Sequence, residues 1–257
     1  MITHSFLNLE NVTHGFFNSK GGVSKKPYDS LNCSFNNGDH LKNVLKNYEI
    51  VKKRLKIKHL LKVNQVHSSK VITIKNIEDY NSEIDGDGLV TNLSDVGISI
   101  LTADCCPVLL LDKQNKIIGA CHAGWKGAVS GIIESTIEKM EKIGANKNFI
   151  VAVMGPTIQK HSYEIGNDVY NIIKNTNTFN QEVISKTTNG KYLFDLPLFI
   201  NHKLLSLKIS KIGNVNIDTY TNNTFFSHRR KIHEILNNKE NNKNILTGRQ
   251  ISIIGLT

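Results

Sequence analysis

Imidazole and thiol groups stand in three short stretches of this chain: Gln65-Val66-His67, Ala103-Asp104-Cys105-Cys106-Pro107 and Cys121-His122-Ala123-Gly124-Trp125. Each lies at or near the end of an apolar, strand-like run. Two imidazoles and one thiolate make a ligand set that zinc favours, and three protein ligands leave a fourth tetrahedral position free, which marks a catalytic rather than a structural site. Taken singly, the residues say less. His67 is one of ten histidines and reads equally as a structural imidazole. Buried free cysteines are common, and His122-Ala123-Gly124-Trp125 reads equally as a tight turn packed by an indole. Cys106 competes with Cys105, because successive strand residues face opposite sides and only one of the pair can point into a site.

The elements that must position these groups follow from hydrophobic spacing. Between Asp39 and Lys58, the residues Leu41, Val44, Leu45, Tyr48, Val51 and Leu55 recur at helical intervals, which predicts an amphipathic helix. Leu60 to His67 and Val71 to Lys75 read as strands around a Ser-Ser turn, so His67 is expected at a strand end. Ile84 to Gly88 is a turn that leads into the strand Leu89-Val90-Thr91. Gly97 to Leu101 and Pro107 to Leu111 read as strands about a kink at Asp104-Cys105-Cys106, since Pro107 cannot donate to a ladder. The polar turn Asp112 to Lys116 returns the chain along Ile117 to His122, and a turn centred near residue 114 pairs residue 105 with one near 123.

Val129, Ile132, Ile133, Ile137, Met140 and Ile143 predict one continuous helix from Trp125 to Ile143, closed by Gly144. Its first N–H groups and Lys126 are placed to receive an anion beside the expected metal. Phe149 to Met154 is expected as a strand, Gly166 to Lys174 as a helix, and Asp195 as the cap of a helix running to Leu204. Val215 to Tyr220 and Ile251 to Leu256 are expected as strands, and the polar run Asn237 to Asn244 as a mobile loop. Phe225 to Arg230 combines aromatic bulk with two guanidinium groups, which suits either a grip on a planar base or phosphate or a basic edge strand.

A length of 257 residues without internal repeat or Pro/Ser-rich linker suggests one domain. The longest apolar run, Val96 to Leu111, is broken by Asp104 and Pro107 and is too short for a bilayer. The first residues lack the basic and apolar blocks of a secretory signal, so a cytoplasmic protein with no membrane partner is expected. Its four cysteines, Cys33, Cys105, Cys106 and Cys121, are then expected to be reduced. The net charge of +10 is spread along the chain instead of gathering in one block, which argues against nucleic acid as the partner and suits small anions such as phosphate or nucleotides.

Nearly the whole chain resembles the laccase-domain family, also called the YfiH or multicopper polyphenol oxidase family and regarded as purine nucleoside phosphorylases with adenosine deaminase activity. The resemblance rests on Gly21-Gly22-Val23-Ser24, Ser30-Leu31-Asn32, Asn64-Gln65-Val66-His67, Asp87-Gly88-Leu89-Val90-Thr91 and Ala103-Asp104-Cys105-Cys106-Pro107. It continues through His122-Ala123-Gly124-Trp125-Lys126-Gly127, Gly155-Pro156-Thr157-Ile158, Tyr163-Glu164-Ile165-Gly166, Phe225 to Arg230 and Thr247-Gly248-Arg249-Gln250.

It implies a single α/β domain over residues 1–257, with mixed β-sheets sandwiched between helices. It also implies a catalytic zinc on His67, Cys105 and His122, which decides between the two adjacent cysteines in favour of Cys105. The implied substrates are phosphate and purine nucleosides of the adenosine, inosine, guanosine and methylthioadenosine class. Lys126, Arg229 and Arg249 are the candidates for holding phosphate. Three departures stand out: Lys126 where the family usually has Arg, Asp218 where it has Cys, and a longer link over residues 231–246. Lysine keeps the charge but loses the bidentate geometry of arginine. The alternatives are copper-dependent phenol oxidation, which needs several coppers and more paired histidines than these motifs supply, a metal-free hydrolase with Cys105 as nucleophile and His122 as base, and a nucleotide-binding module without catalysis.

Overall fold

The structure, a computed structural model, describes residues 1–176, 181–209, 211–238 and 245–257. In chain order these form β1 (Val12–Phe16), α1 (Leu41–Leu55), β2 (His59–Leu61), β3 (Val71–Ile74), β4 (Gly88–Thr91), β5 (Val96–Thr102), β6 (Cys106–Asp112), β7 (Ile117–Ala123), α2 (Trp125–Ser130) and α3 (Ile132–Lys142). There follow β8 (Ile150–Met154), β9 (Glu164–Ile165), α4 (Asn167–Lys174), β10 (Ile184–Lys186), β11 (Tyr192–Phe194), α5 (Leu196–Ser206), β12 (Lys211–Asn214), α6 (His228–Asn237) and β13 (Gln250–Leu256).

The strands make a six-stranded sheet in the order β12-β8-β6-β7-β4-β3, a four-stranded sheet β1-β13-β5-β2 and a small sheet β10-β11-β9. Every residue of the central pair β6 and β7 is buried, because the large sheet is covered on both faces. Period-two alternation sorts their side chains. Val108, Leu110 and Cys121 face Ile133, Ile137 and Met140 of α3 and Phe199 of α5, whereas Leu109, Leu111 and Ile118 face Ile98, Ile100 and Ile254 of the four-stranded sheet. That sheet turns Ile251 and Ile253 toward Val44 and Val51 of α1. The layers therefore run helix, sheet, sheet, helix, as the resemblance implied. Among the described residues no helix is long and apolar enough to cross a membrane.

Several elements differ from expectation for local reasons. The strand expected through His67 ends at Leu61; beyond it Tyr80 Oη accepts from Lys62 N at 2.7 Å. Further along, the Gln65 side chain replaces ladder bonding, donating to Leu101 O and accepting from Leu101 N, both at 2.8 Å. The helix expected from Trp125 to Ile143 is split at Gly131, whose φ of +93° breaks the α-helical path between α2 and α3. Its far end closes as foreseen at Gly144 (φ +103°): Gly144 N donates to Glu141 O at 2.9 Å and Ala145 N to Met140 O at 3.0 Å, a Schellman pair.

The strand expected at Val215 to Tyr220 lies earlier, at β12. Asn214 Oδ1 accepts from Asn216 N at 2.8 Å and Asn216 takes a left-handed φ of 54°, an Asx turn that stops the ladder. Phe225 to Arg230 is no edge strand, because Ser227 Oγ accepts from Arg230 N at 3.1 Å and starts α6. Of the expected mobile loop, Asn237 ends α6 and Asn238 caps it, while residues 239–244 lie outside the described residues.

Candidate active site

The β6–β7 hairpin pairs Cys106 with Ala123 and Pro107 with His122, which sets Cys105 at the open end opposite Gly124, one residue beyond the expected partner. Asp104 takes a φ of +90°, and this bend releases Cys105 from strand alternation. Cys106 consequently turns into the core and is fully buried, while half-buried Cys105 faces His67 and His122. His67 is exposed and sits in a loop with a left-handed φ of 60°, not at a strand end. One ligand atom from each of His67, Cys105 and His122 lies within 4.8 Å of the others, and the two imidazoles meet edge to face with centroids 4.7 Å apart. Gly124 makes the approach possible: a Cβ there would lie 2.8 Å from Cys105 Sγ and 3.5 Å from His67 Cδ2.

Asp87 organises this cluster, a role hidden in the sequence because Asp-Gly reads there as a turn. It is fully buried. Its Oδ1 accepts from His67 N at 3.0 Å and faces His122 Nδ1 at 2.8 Å, and its Oδ2 accepts from Val66 N at 3.2 Å, Ser68 N at 2.6 Å and Ser68 Oγ at 2.8 Å. One carboxylate thus holds the His67 loop and fixes the His122 ring, leaving Nε2 of His122 for the centre. Burial pushes the Asp87 carboxyl up, but the bonds from His122 and Ser68 outweigh it and hold the group at about 2.

The thiols divide in the same way. Burial alone raises Cys105, yet the facing His122 and then His67 pull it down to about 6. Burial pushes Cys106 well up and Cys121 to about 12, so Cys105 is the cysteine poised as thiolate. Burial lowers the His122 imidazole, and the Cys105 thiolate followed by Asp87 more than reverses this. Two nitrogen donors and a thiolate, one imidazole tied to a carboxylate, suit zinc in both donor chemistry and outer support.

Two cavities adjoin the cluster, one of about 550 Å³ and one of about 370 Å³, and His67, Ala103, Cys105 and His228 line both. They separate the cationic candidates. Arg249 lines the larger cavity, with Nη1 donating to Thr247 O and Gly248 O, each at 3.0 Å. Lys126 and Arg229 line the smaller. There Arg229 Nη1 donates to Glu164 O at 2.9 Å and its guanidinium lies 5.4 Å from the Tyr163 ring centroid, while exposed Lys126 holds Nζ 5.7 Å from the Trp125 ring. Arg230 is structural and donates to the carbonyls of Thr219, Tyr220 and Phe225. Asp104 accepts from Thr219 Oγ1 and from Arg229 N, both at 2.7 Å, and so caps α6. Asp218 braces its own loop by accepting from Tyr220 N at 2.9 Å and Ser162 Oγ at 2.5 Å.

The family described as multi-copper polyphenol oxidoreductase laccase matches residues 13–257. The protein named Purine nucleoside phosphorylase RP494, from Rickettsia prowazekii, is 34% identical over 224 residues, covering 86% of this chain and 90% of its own length. Purine nucleoside phosphorylase RC0672 of Rickettsia conorii is 33% identical over 238 residues, covering 88% and 95% respectively. Among solved structures, the Bacillus licheniformis hypothetical protein YfiH superposes with a TM-score of 0.85 at 29% identity, covering 96% of this chain and 93% of that one.

Proposed function

We propose that this chain, which belongs to the family described as multi-copper polyphenol oxidoreductase laccase, is a zinc-dependent purine nucleoside phosphorylase that also deaminates adenosine, working as one domain in the cytoplasm. The observation that carries the proposal is the convergence of His67, Cys105 and His122 beside two cavities, in a chain whose relatives are named purine nucleoside phosphorylases. Those names support an enzyme; the metal, the deaminase activity and the substrates adenosine, inosine, guanosine and methylthioadenosine are our reading.

His67, Cys105 and His122 would hold the zinc, which supplies a Lewis acid when bound. Cys105 enters as thiolate and Asp87 keeps His122 in one orientation. In phosphorolysis a phosphate oxygen bonds to the ribose C1′ while the bond to the purine nitrogen breaks, and the departing base takes the electron pair and a proton. Two cavities that share His67, Ala103, Cys105 and His228 suit that geometry, since the anion and the base occupy different sides of C1′. In deamination, water replaces the amino group of adenosine and ammonia leaves.

Copper-dependent phenol oxidation draws less support: among the described residues there is one His/Cys/Asp/Glu group able to hold an ion, and multicopper chemistry needs several. A metal-free Cys105–His122 hydrolase shares the same pair and is separated by experiment, as is a binding module without turnover. Metal content by mass spectrometry, with nucleobase and inosine release from adenosine measured with and without phosphate, is compared between wild type and Cys105→Ala. About one zinc per chain is expected, with turnover lost in the variant. A metal-free wild type without turnover overturns the proposal, and turnover insensitive to chelators favours the thiol hydrolase.

A further inference from the structure

The two cavities differ in how their polar groups are satisfied. In the smaller one the Asp104 carboxylate already accepts from Arg229 N at the start of α6, so negative charge occupies that position. The rest of that wall includes the Trp125 and Tyr163 rings with Ile158, Leu196 and Ile232, a surface suited to a flat, largely apolar base. In the larger cavity Arg249 Nη1 bonds only to carbonyl oxygens of Thr247 and Gly248; among the described residues neither Arg249 nor Arg229 has a carboxylate within 4.0 Å of its guanidinium, but that of Arg229 is covered by the Tyr163 ring. The acidic side chain on that lining, Glu83, is exposed.

A second observation concerns unpaired polarity. Among the described residues, four buried side-chain polar atoms lack a hydrogen-bond partner: Tyr48 Oη, Thr102 Oγ1, Glu134 Oε2 and His228 Nδ1. Thr102, like Arg249, lines the larger cavity alone, and His228 lies on the wall that the two cavities share. A buried polar atom without a partner is costly in a core, and one on a cavity wall can be completed by a ligand. A hydroxyl, an imidazole and a free guanidinium edge together offer donors, which suits a ligand rich in acceptor oxygens.

We infer that Arg249, Thr102 and His228 form the seat of a phosphate-type oxyanion in the larger cavity, and that the nucleoside base enters through the smaller one. The assignment deepens the phosphorylase reading and rests on it for the identity of the second substrate. It separates Arg249 from Lys126 and Arg229, which the sequence grouped together, and adds Thr102 and His228 to the site.

The test titrates zinc-loaded protein with inorganic phosphate, followed by phosphorus NMR, in parallel with AMP, and measures KM separately for phosphate and adenosine. Thr102→Val keeps the side-chain shape; it is expected to weaken phosphate binding by about tenfold without lowering the melting temperature, because it removes an unpaired hydroxyl. Arg249→Lys keeps the charge and is expected to weaken binding by more than about tenfold through loss of the planar fork. Lys126→Gln is expected to leave phosphate affinity unchanged. The inference is overturned if folded Thr102→Val and Arg249→Lys bind phosphate like wild type, or if Lys126→Gln is the variant that loses it. Binding of AMP alone, still dependent on Arg249 and Thr102, assigns the anion to a nucleotide; binding of inorganic phosphate assigns it to the free ion. Phosphate binding that depends on Arg249 in an enzyme that cleaves no nucleoside upholds the oxyanion seat and removes the phosphorylase reading.

Discussion

Replacing Asp87 by Asn tests whether one buried carboxylate supports the whole centre. Five contacts reach its two oxygens: His67 N and His122 Nδ1 on Oδ1, and Val66 N, Ser68 N and Ser68 Oγ on Oδ2. An amide presents NH₂ on one side, so at least the two donors on the Oδ1 side, or the three on the Oδ2 side, lose their acceptor. At about 1.5 kcal/mol per bond to a charged group, the loss of two costs about 3 kcal/mol of stability. His122 also loses the partner that orients it, and removal of such a support lowers metal affinity by roughly 10- to 100-fold. Zinc affinity is measured by competition with a fluorescent chelator on protein kept well below its melting temperature, with melting followed by circular dichroism. A folded Asp87→Asn protein that binds zinc as tightly as wild type would refute the reasoning, because the histidines would then be oriented by something else.

Two further outcomes are expected. In the Gly124→Ala variant the new methyl would lie 2.8 Å from Cys105 Sγ, so the thiolate must move; zinc content should fall with little change in melting temperature, and retention of full zinc would show that the slot has slack. His14 is buried, and its Nε2 accepts from His4 N at 2.9 Å, a bond that requires the unprotonated nitrogen. Burial, then the neighbouring His4, lowers its pKa from 6.5 to about 4. The unfolded chain therefore takes up this proton first, and stability falls as pH drops from about 6.5 to about 4 and changes no further below, by about 2 kcal/mol after allowance for solvent screening. Melting curves over that range should be flatter for His14→Gln, whose amide oxygen can still accept; equal slopes in the two proteins would count against the assignment.

Much of this molecule was legible residue by residue. Helical spacing located α1, and alternation with turn residues located the β6–β7 hairpin and brought Cys105 beside His122 to within one residue of register. Local rules also placed Gly144 as a helix terminator and Asp195 as a cap, whose side chain accepts from Leu198 N at 2.9 Å. These features depend on neighbours in sequence. Misreadings arose where side chains took over backbone bonding: Gln65 and Tyr80 ended the strand before His67, and Asn214 ended the strand before Val215.

Composition and motif alone determined the chemical inventory: two imidazoles and a thiol able to share a metal, three cations able to meet an anion, and sheets that must be covered by helices. Tertiary structure decided which groups meet. It turned Cys106 into the core by a bend at Asp104, carried Asp87 to both histidines, and placed Arg249 in a different cavity from Lys126 and Arg229. The physical reason is that a side chain's partner across 20 to 125 residues is set by how packed layers register, and no local pattern records that distance.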